Sequence, residues 1–275
     1  MGISANTNIP SIAAARAVYE TRDDMNRAME RLSSGKRINS SADDAAGQTV
    51  VSRMKAQISS LNQALRNTND GLSMLNVYDG AADEIEDILI RIRELAILSQ
   101  SGTYTDADRE NANLEVSSLI SEMTRIASKT AFNGTLDVAS GGTTYSFQVG
   151  FQGGDAVGFT FNKLAASSLG LSAAPADVVD TADRASQTVA SADAALSSLN
   201  AARANVGASI NRLEHSVSNL MNVVQRTEEA RSRIEDADFA TESAALAKSS
   251  VLAQAGTAML AQANQSPSYI LALLR

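Results

Sequence analysis

The chain has no cysteine, which excludes disulfides, thiol nucleophiles and thiolate metal sites. It has no tryptophan, 3 prolines and one histidine, and aromatics make up 4% of its 275 residues. Large aromatic side chains fill wide cores; Ala, Ser and Leu, which dominate here, suit thin helical layers meeting at a seam. No uninterrupted apolar run reaches the roughly 18 residues of a membrane span. Positive charge is in deficit: the net charge of -8 argues against nucleic acid and against an anionic membrane surface. Met1–Pro10 is uncharged and polar, without the basic-then-apolar order of a cleaved signal peptide, so none is expected.

What is present is helical periodicity. Over Ala195–Ile234, positions 196, 199, 203, 206, 210, 213, 217, 220, 224, 227, 231 and 234 alternate steps of three and four. Nine of these twelve are apolar: Leu196, Leu199, Val206, Ile210, Leu213, Val217, Leu220, Val224 and Ile234. Arg203, Thr227 and Arg231 are the exceptions. Such a run predicts a coiled-coil helix about 58 Å long, and one seam requires a partner helix.

Ile12–Leu32 carries a stripe of Val18, Met25, Met29 and Leu32, ended at Ser33-Ser34-Gly35. Asn39-Ser40-Ser41 precede Asp43-Asp44, which the helix dipole places in a first turn. The next seam includes Ile58, Leu61, Leu65, Leu72, Leu75, Ala82, Ile85, Leu89 and Ile92, and stays in phase through Asn69-Asp70-Gly71. One helix to about Gln100 is therefore expected. Thr105 with Asp108 resembles a capping box opening a helix over Asp106–Ser128, with Leu114, Leu119, Met123 and Ile126 on one side. The short linker makes these two helices an antiparallel hairpin.

The period then changes to two. Tyr145, Phe147, Val149 and Phe151, then Val157, Phe159 and Phe161, alternate with small or polar residues around Gly153-Gly154-Asp155, which predicts a β-hairpin. Six of the eleven aromatics fall in Phe132–Phe161, a local core. Ala173–Asp180, with Pro175, reads as a loop, and a helix resumes near Ala182. Glu242–Gln265 is helical again, and Pro267 is expected to stop it, leaving Tyr269–Arg275 as a short apolar tail. Ser249–Leu274 carries no charge, which fits either a buried assembly surface or a weakly ordered tail. The fold class expected is mainly α: long antiparallel helices in a coiled-coil-like rod, the two ends paired, with a small β-hairpin region at the tip.

No catalytic constellation stands out. His215 falls between seam positions 213 and 217, without a nucleophile beside it, and reads as a solvated flanking residue. Asp236 and Asp238 lack the further oxygen ligands and Gly turn of a cation loop, so a charged helix break is expected. Gly150-x-x-Gly153-Gly154 lacks the Lys-Ser/Thr of a phosphate loop. Asp43 and Asp44 are adjacent, so on a helix they point about 100° apart. The sharpest polar cluster is Arg91-Ile92-Arg93-Glu94-Leu95, where Arg91 and Leu95 share a face; from physics alone it reads as a solvated helix face.

Arg31–Gly35, Arg37–Ser40 and Asp43–Gln48 together resemble the N-terminal pattern of bacterial flagellins, and Asn67–Leu75, Arg91–Leu95 and Phe132-Asn133-Gly134 fit the same family. So do Ala230–Glu242, Gln254-Ala255-Gly256, Leu260–Gln265 and Leu273-Leu274-Arg275 at the other end. The resemblance covers about 1–136 and 180–275; the middle, about 137–179, does not carry it and is much shorter than in large flagellins.

The resemblance implies a subunit of the helical flagellar filament, extracellular, serving motility, with no catalysis and no cofactor. Residues 1–43 plus 235–275 would form inner-tube helices, and 44–234 the outer-tube core, with a short variable β segment about 132–179. The ends would order on assembly through Val18, Met25, Met29, Leu32, Leu246, Leu252, Leu260 and Leu274. Implied partners are copies of the same or related flagellins, hook-junction and cap proteins, and an export chaperone for the C-terminal helix. Export would pass through a type III apparatus without signal cleavage. A Toll-like innate immune receptor would be met by Arg91, Leu95 and Glu115; Ile90 stands where the family usually has Gln. The rival readings are a hook–filament junction protein, a monomeric helical binding module presenting its hairpin, and, poorest, an enzyme.

Overall fold

The computed structural model describes residues 7–133, 136–137, 141–171 and 178–273, with side chains left out at 136–137 and 266–273. Its order is α1 (Ile9–Ser34), α2 (Ala45–Gln100), α3 (Asp106–Lys129), β1 (Ala131–Phe132), β2 (Leu136–Asp137), β3 (Thr144–Gln148), β4 (Ala156–Thr160), α4 (Ala182–Glu235) and α5 (Phe239–Leu273). The chain divides into two compact units, one up to Ile58 and from Gln225 on, the other Ser59–Val224. Both boundaries lie inside α2 and α4 rather than at the breaks between helices. Most of the loop expected at Ala173–Asp180, Pro175 included, lies outside the described residues.

In the first unit, α1 and α5 pair antiparallel. Asn8 meets Ala263, Val18 meets Gly256, and Arg31 meets Glu242. Asn8 opens α1 by accepting from Ser11 N at 3.2 Å, and Gly35 closes it in the left-handed region at φ 70°, its N–H on Arg31 O at 2.9 Å. α2 starts one residue later than its acids: Asp44 is the cap, its Oδ1 accepting from Gly47 N at 2.8 Å, not a first-turn residue. Asp43 instead ties the linker, accepting from the amides of Ser40 and Asn39. Those bonds, led by that from Ser40, hold its carboxyl below the ordinary value.

The expectation that Pro267 stops the last helix is overturned: α5 runs on to Leu273. Proline has no N–H, so the carbonyl four residues back, Ala263 O, loses its helical donor. Asn8 Nδ2 supplies one at 2.8 Å. α5 also begins earlier than Glu242, because Asp238 accepts from Ala240 N and Thr241 Oγ1, each at 2.9 Å.

In the second unit, α2 and α4 run antiparallel, as the pairs Arg93–Asp193 and Arg203–Asp79 require. α2 passes Asn69-Asp70-Gly71 unbroken. Gly71 has a positional reason: the Phe147 ring lies 3.0 Å from where a Cβ would stand, so β3 sits directly on the helix there. On α4, Leu199, Val206, Leu213 and Leu220 are buried, while Leu196, Ile210, Val217 and Val224 are half-buried. The upper stripe also runs through Ala185, Ala192, Ala195 and Ala202, small residues that widen the buried face beyond a single seam. Arg203, an exception in the heptad, reaches Asp79, Asp83 and Glu86, one turn apart on α2.

α3 opens with the expected capping box between Thr105 and Asp108. Its buried stripe is Ala112, Val116, Ile120, Met123 and Ala127; Leu114, expected inside, is 64% exposed. β3 and β4 form the expected hairpin, Tyr145 opposite Phe159 and Phe147 opposite Val157. Phe161 sits in an aromatic cluster, with centroids 4.7 Å from Phe159, 5.1 Å from Tyr78 and 5.5 Å from Tyr145. Burial pushes the Tyr78 hydroxyl up to about 12, although it donates to Asn162 O at 3.1 Å. A second short antiparallel pair, β1 with β2, precedes the hairpin.

Candidate functional site

Two arrangements stand out: the paired ends, and the polar cluster where α2 meets α3. On the paired ends, Val18, Ala28 and Ser249 are buried, and Met25, Leu32, Leu246 and Leu260 are half-buried. Gly256 permits this approach, because a Cβ there would stand 2.8 Å from Val18 Cγ2. Met29 and Leu252, named with these from the sequence, face outward; Leu274 lies outside the described residues. They are joined outside by Ile9, Ile12, Tyr19, Phe239, Val251 and Met259, all exposed. A pair of helices that leaves this many large apolar groups in water has more apolar surface than the pairing covers. The residues named from the sequence thus fall on both faces, the buried one and the exposed one.

At the base of the same unit, two linkers meet. Glu235 is 3% exposed and ion-pairs with Lys55 at 2.7 Å and Lys36 at 3.1 Å. Arg231 stands at 3.8 Å from its other oxygen. Burial pushes this carboxyl up, and the bonds from Lys55 and Lys36 outweigh it, holding it below the ordinary value of 4.5. The Glu235 carbonyl takes Arg37 N at 2.6 Å, and Ala237 N donates to Gly35 O at 3.0 Å. Sequence reasoning passed over Glu235; its signal was an acid at the end of an apolar seam.

The antiparallel run of α2 and α3 brings Arg91 to Glu115, Nε to Oε1 at 2.9 Å, and Arg91 also bonds Glu94 at 3.2 Å. The bond to Glu115 leads in raising the guanidinium further above its ordinary value. Ile90 beside it is exposed. Leu95, expected to share the exposed face, is 5% exposed and belongs to the core cluster of this unit with Ile92 and Val116. The three candidate contact residues are thus two surface groups paired to each other and one core side chain.

His215 is exposed on α4. Asp236 bridges to Lys36 through the backbone, and Asp238 is spent as a helix cap. Among the described residues, no group of three or more His, Asp or Glu side chains is placed to hold a metal ion, and no helix is long and apolar enough to cross a membrane.

The chain matches two family models, the bacterial flagellin N-terminal helical region over residues 5–136 and the bacterial flagellin C-terminal helical region over residues 189–274. Polar flagellin F of Vibrio parahaemolyticus is 41% identical over 57% of this chain, which spans 42% of that protein's length. A flagellin of Halalkalibacterium halodurans is 38% identical over 98% of this chain and 99% of its own. A crystal structure of Bacillus cereus flagellin is 28% identical, covers 56% of this chain and 88% of its own, and has a TM-score of 0.49. With both helical ends matched and one relative aligned along its whole length, the chain belongs to the bacterial flagellin family.

Proposed function

We propose that this chain is a structural subunit that polymerises with copies of itself or related flagellins into the helical flagellar filament outside the cell, serving motility, with no catalytic role. The observation that carries this reading is the apolar surface left on α1 and α5 after they pair: Ile9, Ile12, Tyr19, Phe239, Val251, Leu252 and Met259 remain in water. Neighbouring subunits are the natural cover for such surface, and burying it on assembly contributes about 25 cal/mol per Å² of apolar area. The ends therefore gain their final order from neighbours.

In the same reading, 1–43 with 235–275 form the inner layer and 44–234 the outer, with the segment about 132–179 facing outward. Hook-junction and cap proteins are its neighbours at the filament ends, and a chaperone holds the C-terminal helix before export. A Toll-like receptor would engage the Arg91–Glu115 pair.

Negative-stain electron microscopy of the full chain, after seeding or salting out and paired with pelleting, tests the central reading. Long helical tubes with a central channel are expected. Persistently dispersed chains under seeding by filament fragments would refute it and turn attention to a junction protein or a monomeric binding module.

A further inference from the structure

α5 contains a proline where helices avoid one: Pro267 lies within Phe239–Leu273, and helix continues beyond it. Proline removes one backbone bond, and its ring crowds the carbonyl four residues back. That carbonyl is Ala263 O. On an isolated helix it would have no donor, and a helix without a remedy ends near the residue before the proline.

The remedy comes from the other end of the chain. Asn8 Nδ2 donates to Ala263 O at 2.8 Å, across 255 positions of sequence. The same side chain's Oδ1 accepts from Ser11 N at 3.2 Å and so caps α1. Beside it, Ser11 Oγ donates to Asn264 Oδ1 at 2.6 Å. An asparagine suits this position because its amide carries both an acceptor and two donors, which neither serine nor aspartate offers in that geometry.

We infer that Asn8 is a two-ended clamp, its oxygen starting α1 and its nitrogen replacing the donor that Pro267 removes, so that α5 extends past residue 263 only while α1 is seated against it. The proline makes the last turns conditional. With an ordinary residue at 267, the amide would bond Ala263 O itself, and the helix would continue whether or not the amino end were in place. With proline there, the order of 268–273 reports the docking of the chain's first helix. This coupling is a property of the two paired ends, which gain their final order on assembly, and so it rests on the filament reading.

Hydrogen exchange measured by mass spectrometry on the full chain pelleted as polymer, where the ends are ordered, tests it; a chain that does not pellet would count against the filament reading, and the exchange rates decide the clamp. Asn8→Asp and Asn8→Ser both keep a capping oxygen and lose the amide donor to Ala263. Each is expected to speed exchange over 268–273 about tenfold, in line with one lost hydrogen bond to an otherwise unpaired carbonyl, while the amides of the Ser59–Val224 unit keep their parent rates. In a Pro267→Ala background the same two substitutions should change exchange there by less than about twofold, because residue 267 then supplies the bond. Three outcomes would overturn the inference: parent-like exchange in both Asn8 variants, equal acceleration in the Pro267→Ala background, or no protection over 268–273 in the parent chain.

Discussion

Lys55 Nζ lies 2.7 Å from Glu235 Oε1, joining residues 180 positions apart through a carboxyl that is otherwise shut away from water. Lys36 shares the same oxygen at 3.1 Å. The folded carboxyl sits below its ordinary value of 4.5, so the folded state favours its ionised form. The contribution is present in full above pH 4.5 and is lost as pH falls through the lower folded value. Glu235→Gln should destabilise the chain by about 1–2 kcal/mol at neutral pH; both lysines are half-exposed, and solvent screening keeps the figure low. Urea unfolding of parent and variant should converge as pH falls through the lowered folded value; a gap that persists in acid strong enough to protonate the folded carboxyl would show that shape, not charge, carries the effect.

Leu213 is wholly buried in the face that α4 presents within the Ser59–Val224 unit. Leu213→Asp places an unpaired carboxylate there, a loss on the order of 3–5 kcal/mol. Thermal melting followed by circular dichroism should fall steeply at neutral pH and recover in part in acid, where the new carboxyl is neutral. An unchanged melt would mean that α4 buries a different face.

The long helices were legible because their periodicity is local: leucines and isoleucines three and four apart carry α2 through Asn69-Asp70-Gly71 on residues within a few turns. The hairpin was legible for the same reason, with a period of two. What failed was whatever depended on distant partners. Pro267 looked like a stop because the donor that tolerates it is Asn8, at the other end of the chain. Leu114 looked like core, yet α3 turns Ala112 and Val116 inward, and alanines carry no visible stripe. Leu95 looked like a surface neighbour of Arg91, but α2 is flanked on more than one side, so its buried arc is wider than one seam. Arg203 looked like a defect in the heptad until its three carboxylate partners on α2 came into view.

Gly256 and Val18 set how closely α1 and α5 approach. Alanine is worth up to about 1 kcal/mol more than glycine in a helix, but its Cβ would stand 2.8 Å from a stiff β-branched methyl. Gly256→Ala should therefore loosen the pair, seen as faster hydrogen exchange along α1. Val18→Ala in the same chain should restore the slower exchange, since the methyl that blocks the new Cβ is gone. A double variant that exchanges as fast as Gly256→Ala alone would place the close contact elsewhere.

Removal of residues 249–275 takes away the outward Val251, Leu252 and Met259 together with the partner face of Val18, but leaves the Ser59–Val224 unit intact. The truncated chain should keep most of its helical circular dichroism while failing to pellet as polymer. Filaments of normal length from it would remove the paired ends from the assembly mechanism.

Arg91 and Leu95 separate by burial, although they sit one turn apart on α2. Arg91 is half-exposed and its partners Glu115 and Glu94 are too, so solvent screens the pairs and Arg91→Ala should leave the melting curve close to the parent's. Leu95→Ala removes a core side chain and should cost about 2–5 kcal/mol. If the Arg91–Glu115 pair is what a Toll-like receptor engages, Arg91→Ala lowers receptor signalling in a cell reporter with an unchanged melting curve, and Glu115→Ala does the same. Leu95→Ala lowers signalling only to the extent that it unfolds the chain, so signalling at a temperature where it remains folded should match the parent. Lost signalling from a folded Leu95→Ala chain would mean that the helix face opens on binding, and that the surface pair alone does not make the contact.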